Sequence, residues 1–522
     1  MAENEVKVVD EVKSSEKVTF DEALNQSGFG LYSYIMTCLT GIAVIAYVSI
    51  AYASTIIVPT SACELETTIS QQGLLASGPT VGSMIGGLIW GYLADTRGRR
   101  KMMLVGLFSG TIFNLIASIS VNWVMLLIIQ FIGSACGSGF YAMSMSLLSE
   151  SVPVAKRNLV VLVVSSIFML SQGLISGLAI PIIPMPFSHY LPALGIYWNS
   201  WRLLIVIYSI PSIVSFIWMF FMQESPKFVY QVNRDPERAL EIIRKIHRVN
   251  HLFSKEEFTV TGIVDPEVNE VPEEKSSMKD QIVPLFQTPL LKYTIIVIAL
   301  QSFRQVAAFF VWLPTILNQF VLIVETGEGT DLTMCNIIDM ETPVVEDSVP
   351  CALDETSLLI VLAFTALTFI VNVFLTTIIH KVGRRNMVII MTALSGICGI
   401  LVNLIPNAVA SLIMFAIFLT GIVVVGFYTA ITVAVFPTHL RALAIALPMT
   451  FGRLATFASI QILNLMLATS CDAGFYLFAT LFGSSAIVAS FLPDDRKAQP
   501  IVLEKKEESA ENPDDTQKAS KL

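Results

Sequence analysis

Residues 91 to 101 read GYLADTRGRRK, and five of the last seven positions carry charge in a chain that is 54% hydrophobic. The stretch lies between two apolar runs, 73 to 94 and 102 to 120. Each is long enough to cross a hydrocarbon core of about 30 Å as a helix rising roughly 1.5 Å per residue. A charge cluster wedged between two such runs is a tight turn at a membrane face.

The same arrangement recurs along the chain. Charged residues make up only 14% of 522, and the apolar excess falls into twelve blocks: 31 to 57, 73 to 94, 102 to 120, 123 to 148, 158 to 184, 202 to 222, 292 to 318, 356 to 379, 387 to 404, 410 to 436, 442 to 468 and 474 to 491. This pattern predicts an all-α, multi-pass integral membrane protein with the lipid bilayer as its solvent.

Orientation follows from Lys and Arg, which keep short loops on the cytoplasmic side. If 95 to 101 is cytoplasmic, so are 149 to 157, 223 to 289, 380 to 385 and 437 to 441, and each carries Lys or Arg. The alternate loops, 59 to 72, 185 to 201, 319 to 355 and 469 to 473, carry none, and 319 to 355 holds nine acids. Both termini are then expected to be cytoplasmic, in the plasma membrane or a vesicle membrane. The net charge of −9 belongs largely to that loop and the tails, and no nucleic-acid partner is expected. The first 27 residues contain no apolar core, so no cleaved signal peptide is expected.

Cys38, Cys136 and Cys398 fall within spans, while Cys63, Cys335, Cys351 and Cys471 face the outside, where disulfides persist. Four thiols allow three pairings. Cys335 and Cys351 share one loop and close only a short ring, which makes them the first expected pair.

An internal repeat gives the architecture. Gly98, Arg99 and Arg100 recur as Gly383, Arg384 and Arg385, an offset of 285, and Glu150, Pro153 and Arg157 answer to Ala434, Pro437 and Arg441 at an offset of 284. Two motifs at one spacing predict two homologous six-helix halves, a transporter plan with its substrate site at the interface near the midplane. The expected division is a cytoplasmic tail 1–30, a first half 31–222, a linker 223–290, a second half 291–491 with the outer loop 319–355, and a disordered tail 492–522.

Gly91, Asp95, Gly98, Arg99 and Arg100 together resemble the signature loop of the major facilitator superfamily, and the resemblance covers all twelve spans. ESPKF (224–228), FPTHLR (436–441), FGR (451–453) and LPDD (492–495) resemble its sugar-porter and organic-ion branch. TFDEALNQSGFG (19–30), VWLP (311–314) and the enlarged loop after span 7 resemble the synaptic vesicle glycoprotein 2 family and its invertebrate relatives. The chain departs from the superfamily at His380 and Ala434, where acids are usual, and its sole Asn-x-Ser/Thr sequon, at Asn25, lies in the expected cytoplasmic tail.

The resemblance implies a cytoplasmic gate of charge pairs at helix ends, built from Gly91, Asp95, Gly98, Arg99, Arg100, Glu150 and Arg157, with Gly383, Arg384, Arg385 and Arg441 as the second-half counterparts. Topological anchoring alone would need neither an acid nor a glycine. With both second-half acids missing, the expected gate is lopsided.

Arg304 and Arg453 each lie twelve residues beyond a cytoplasmic-end cation, Lys292 and Arg441. That is roughly 18 Å into the membrane, where an ionisable side chain normally faces a cavity or a partner. Span 7 places Gln301, Arg304, Gln305, Ala308 and Trp312 on one broad helical face, span 4 places Gln130, Ser134, Gly137, Tyr141 and Ser144 likewise, and span 10 adds Tyr428 and Thr432. The superfamily lines its cavity with spans 1, 4, 7 and 10, so Gln301, Arg304, Gln305, Trp312, Gln130, Tyr141, Tyr428 and Arg453 are the candidate substrate-binding residues. No Asp or Glu lies in mid-span, which favours neutral or anionic solutes over cations.

Gly78, Gly82, Gly86, Gly173 and Gly177 sit where helices are expected to pack closely. Residues 235 to 249 predict an amphipathic helix capped by Asp235 with Pro236 at its first position. His247 and His251 have no evident third ligand, so no metal is expected. No P-loop, nucleophile elbow or zinc-enzyme motif is present, so neither enzymatic bond cleavage nor a cofactor is expected. The expected function is a monomeric transporter of a small neutral or anionic organic solute working by alternating access. The alternative is a transporter-like membrane protein with a binding or vesicle-trafficking role.

Overall fold

The computed structural model describes residues 17–252, 258–263, 283–325, 331–340, 353–436 and 440–493. Eleven of its helices are long and apolar enough to cross a membrane. The twelfth span, Ile69–Arg97, is a 29-residue helix whose many Gly, Ser and Thr residues lower its hydropathy. Those small residues let backbones meet: a Cβ at Gly82 would strike the Phe131 carbonyl of span 4, and one at Gly86 the Ala135 carbonyl. Trp90 Nε1 donates to that same Ala135 carbonyl at 2.9 Å. Gly177 differs from expectation, since nothing lies within 4 Å of its would-be Cβ.

Helices form here because the bilayer offers no partner for backbone polar groups. Their ends are satisfied locally: Thr68 and Gln71 form a capping box on span 2, and Asn122, Asp354 and Asn407 accept backbone N–H bonds at the starts of spans 4, 8 and 10. Gly98 (φ 103°) separates spans 2 and 3, and Gly383 (φ 86°) separates spans 8 and 9. A side chain would be strained at either, so the repeated glycine is a backbone requirement of a one-residue turn.

Four spans are interrupted and the other eight are continuous among the described residues. Span 1 runs as Leu31–Ala51 and Ser54–Ser61, and span 4 as Trp123–Gly137 and Gly139–Ser151. Span 7 runs as Leu290–Phe303 and Val306–Glu325, and span 10 as Ala408–Thr420 and Val424–Val435 joined by a 3-10 turn. Spans 1 and 7, and spans 4 and 10, are counterparts under the repeat. The breaks are therefore a shared feature of both halves.

Within the first half, span 1 packs on spans 5 and 6, and span 4 on spans 2 and 3; within the second, span 7 packs on span 11 and span 9 on spans 10 and 12. Between halves, span 5 packs on span 8, span 2 on span 11, and the second segments of spans 1 and 7 on each other. The contacts between halves map onto themselves when the halves are exchanged, as a twofold arrangement demands.

Residues 17 to 30, within the expected tail 1–30, fold against the linker. Lys17–Val18 pairs in parallel with Gly262–Ile263, and helix Phe20–Gln26 buries Phe20, Ala23 and Leu24 against Leu240 and Ile243 of helix Pro236–Asn250. Asp235 caps that helix as expected, accepting from the Arg238 N–H at 3.0 Å. Asn250 then donates to the Ser27 and Gly28 carbonyls and accepts from the Ser33 N–H, while Asn25 accepts from the Val154 N–H at the start of span 5. The TFDEALNQSGFG stretch thus clamps the linker helix to spans 1 and 5.

The expected Cys335–Cys351 bond is overturned. Cys335 pairs with Cys471, with Cα atoms 5.5 Å apart, and Cys351 lies outside the described residues. The reason is packing: Met334–Ile338 forms a short helix that buries Met334, Cys335 and Ile337, and Asn403 accepts the Cys335 N–H at 3.1 Å. That seats the thiol against the first residue of span 12. Cys63 is also disulfide-bonded.

Candidate functional site

Two clusters gather most of the expected residues. The first lies at the face that carries the arginine turns. Arg99 Nε sits 2.9 Å from Glu150 Oε2, and its Nη2 sits 3.3 Å from Asp95 Oδ1. Asp95 is largely exposed, whereas the Arg99 and Glu150 side chains are only 14% and 12% exposed, so the Glu150 contact is the stronger of the two. Arg157 Nε donates to the Ser149 carbonyl at 2.8 Å rather than to an acid.

Sequence reasoning assigned no role to Glu224, which completes this cluster. Its carboxylate accepts the backbone N–H groups of Arg100 and Lys101, the first turn of span 3, where a negative charge suits the helix dipole. Ser225 donates to Glu150, and the Arg100 guanidinium donates to the Met219 and Phe220 carbonyls at the end of span 6. A Cβ at Gly98 would meet Glu224 Oε2 at 2.7 Å, a second reason for glycine there. Gly91 has open space around it. The ESPKF motif was the available signal, read as a family mark only.

The second half is built differently. Arg384 Nη1 donates to the Ala430 carbonyl within span 10 at 3.1 Å, and Arg385 Nη2 to the Ser490 carbonyl at the end of span 12 at 2.6 Å. No salt bridge involves Arg385 among the described residues. The side chains of His380, Ala434 and Arg441 lie outside the described residues.

The second cluster lies mid-membrane at the break in span 7. Arg304 closes the first segment with φ −73° and ψ 55°, and the Gln305 N–H bonds the Phe303 carbonyl at 2.8 Å, an inverse γ-turn. The break points the N-terminus of the second segment, with its partial positive charge, toward the same level. Arg304 lies in electrostatic range of Tyr52, Tyr428 and Arg453, and Tyr52 marks the break in span 1. Arg453 reaches across the halves, its Nη1 donating to the Ser83 carbonyl at 3.3 Å. Arg304 Nε, Gln301 Oε1 and Gln305 Oε1 are buried without hydrogen-bond partners, and neither arginine pairs with an acid, among the described residues.

Three expected members separate from this group. Trp312 is buried and donates Nε1 to the Ile460 carbonyl at 3.4 Å, which makes it a tie between spans 7 and 11. Gln130 is buried two turns into span 4, and no described contact joins it to Arg304. Tyr141 joins instead through an aromatic chain: its ring lies 5.3 Å from Phe168, and Tyr47 lies 6.4 Å from Tyr141, 6.5 Å from Phe168 and 6.2 Å from Tyr52. Tyr47 is within electrostatic range of Arg453. Sequence reading missed Tyr47, Tyr52 and Phe168, because aromatic residues in apolar helices carry no distinguishing pattern.

Twelve helices in two matched halves, four of them broken around a pair of mid-membrane arginines, define a polytopic membrane protein of the transporter class. The sequence profile described as Major Facilitator Superfamily matches residues 39–325 and 351–519. The chain belongs to that superfamily. It is 22% identical over 497 residues to the Synaptic vesicle 2-related protein of Rattus norvegicus, covering 92% of this chain and 82% of that one. It is 25% identical over 251 residues to Synaptic vesicle glycoprotein 2B of Homo sapiens, covering 47% and 36%. Its fold is similar to the partially occluded inward-open xylose transporter XylE of E. coli, with a TM-score of 0.61 at 14% identity over 89% of this chain and 100% of that one.

Proposed function

We propose that the protein is a secondary carrier of a small organic anion, moved by alternating access between the two halves. The carrying observation is Arg304: a guanidinium at a helix break, mid-membrane, without an acidic partner among the described residues. An unpaired arginine at that depth costs about 2.5–3.5 kcal/mol even on the most lenient scale. A bound anion offsets that cost during each cycle and accounts for the missing mid-span carboxylate. Both termini and the linker 223–290 are cytoplasmic in this reading. The hydrogen bonds between the halves then run from mid-membrane to the outer face, as in an inward-facing state. The relatives' names support a vesicle membrane as the site of action.

The reading is tested by uptake into liposomes holding the purified full-length chain. Saturable uptake of radiolabelled carboxylates is expected, and none of neutral sugars or organic cations. Uptake of cations alone would overturn it.

A second reading, a transporter-like binding or trafficking protein, is supported by one observation. His380 and Ala434 stand where the superfamily usually carries acids, so half of the usual gate is missing. Absence of uptake for every solute class, with retained ligand binding, would favour it.

A further inference from the structure

We infer that the face carrying the arginine turns holds a binding site for an anionic phospholipid whose headgroup bears a phosphate monoester. The inference needs only the membrane-spanning fold, and it stands whether or not the protein carries a solute. The site is a cavity of about 290 Å³ enclosed by three elements: the first turn of span 3, the end of span 6 and the linker helix Pro236–Asn250. Arg100, Arg238 and Lys245 line it together with Glu224, Glu241 and Phe220.

Three cations meet two carboxylates there, and neither carboxylate is free to neutralise the cavity. Glu224 is committed to the backbone N–H groups of Arg100, Lys101 and Ser225, at 2.9, 3.3 and 3.0 Å. Glu241 pairs with Lys245 at 2.9 Å, but both side chains are at least half exposed, and an exposed pair one helical turn apart is worth little. A phosphate can therefore compete for Lys245. The Arg100 guanidinium is fixed in place by the Met219 and Phe220 carbonyls, yet it has no acidic partner among the described residues. Arg238 is exposed and forms no salt bridge among the described residues. Cations gathered in a concave wall focus their field and draw an anion to it.

The headgroup class follows from this charge. A phosphate monoester carries roughly −1.5 to −2 charge and offers three acceptor oxygens, which suits three cations on three sides. A serine or choline headgroup would instead bring its own cation among them. The lipid source follows from Phe220 and Phe221, which close span 6 and are 54% and 74% exposed, and Phe220 also lines the cavity. Aromatic rings at a span end sit at headgroup level, so acyl chains pass beside the cavity. The cytoplasmic leaflet is the anionic one, in accord with the orientation proposed above. A headgroup held by all three cations ties the linker helix to Arg100 and Glu224, next to the Arg99–Glu150 pair.

The test is native mass spectrometry of the purified full-length chain in neutral-detergent micelles, counting bound lipid. Phosphatidylinositol 4-phosphate should bind more tightly than phosphatidylinositol by on the order of tenfold, and phosphatidylcholine should bind most weakly. Phosphatidylinositol binding as tightly as its 4-phosphate overturns the monoester assignment. Equal retention of all three lipids overturns the site. Soluble inositol 1,4-bisphosphate offers the same headgroup chemistry without chains and should bind at least roughly tenfold more weakly than the lipid. Equal affinity for the soluble compound would make this a site for a free phosphate and overturn the lipid assignment.

Arg238→Gln combined with Lys245→Gln removes two cavity charges from an exposed helix face and should weaken the 4-phosphate lipid by on the order of tenfold. Lys156→Gln combined with Arg248→Gln removes two exposed charges outside the cavity and should leave binding within about twofold. No loss in the first pair, or equal loss in both, overturns the cavity as the site. Should the first pair not fold, hydrogen exchange on the unaltered chain decides. The 4-phosphate lipid should slow exchange across 236 to 250 and phosphatidylcholine should not, and unchanged exchange there overturns the inference.

Discussion

Gln461 in span 11 donates its side-chain amide to the Gly73 carbonyl in span 2 at 2.7 Å and to the Ser77 hydroxyl at 2.5 Å. One turn further along, Asn464 donates to the Ile69 carbonyl at 2.6 Å. A Cβ at Gly73 would strike both amides, so the glycine admits the latch. The two halves are thus hydrogen-bonded at the face opposite the arginine turns.

Each of those bonds contributes about 0.5–1.5 kcal/mol net. The pair Gln461→Leu and Asn464→Leu should therefore shift the population away from the state closed at this face by on the order of tenfold. Spin labels at Leu74 and Leu465, both exposed at that end, should report a longer distance distribution in the double variant. An unchanged distribution would remove the latch from the cycle.

At the other face, Glu150→Gln removes the charge opposite Arg99 but keeps an oxygen for Ser225. Arg99→Ala removes both contacts of the guanidinium. Either change should lower transport at least tenfold with expression largely intact, because the cluster sits at helix ends. Normal transport in both variants would reduce the opening stretch of sequence to a topology signal.

Arg304→Lys keeps the charge but loses the two-pronged donor. Charge-assisted hydrogen bonds are worth about 1.5–3 kcal/mol, so affinity for carboxylates should fall roughly ten- to hundredfold. Arg304→Gln should also change which solutes are accepted. A ligand-induced thermal shift identical to that of the unaltered protein would exclude Arg304 from the site.

Cys471→Ser should destabilise the protein by about 2–4 kcal/mol by freeing a long loop, and leave Cys335 reactive to a thiol label under denaturing conditions. Non-reducing peptide mapping should recover a Cys335–Cys471 linked peptide. Recovery of a Cys335–Cys351 peptide would restore the sequence-based pairing.

The first half also contains a buried ion pair that periodicity did not reveal. The Arg202 side chain is fully buried, lying 2.7 Å from Glu64 and donating to the Ser118 and Ser120 carbonyls, and Glu64 also accepts from Asn199 and from Trp201 Nε1. Glu64→Gln leaves that guanidinium without its counter-charge and should cost about 3–5 kcal/mol. Joint replacement by Leu at Glu64 and Met at Arg202 should cost less. A thermal melt series separates the two, and equal losses would contradict the pairing argument.

Much of the fold was legible because its signals are local. Twelve apolar blocks, a glycine at each of the two repeated arginine turns, and the offset of about 285 between halves can be read one residue at a time. Part of the mid-membrane cluster was legible too, since Arg304 and Arg453 are conspicuous in apolar helices. Gln461 and Asn464, three residues apart on one face of span 11, were an available polar signal of the same kind.

The sequence by itself determined the number of spans, the two halves and the depth of the arginines, because hydropathy, helical rise and glycine's backbone freedom are properties of short stretches. Only the tertiary structure decided which thiol Cys335 meets, that Glu224 holds the first turn of span 3, that Trp312 is a packing tie, and that Tyr47, Tyr141 and Phe168 gather in one aromatic cluster. Those pairings join residues up to several hundred positions apart, such as Arg453 with Ser83. Their distances depend on how helices break and pack, and an apolar helix presents much the same sequence to a lipid, a neighbour or a cavity.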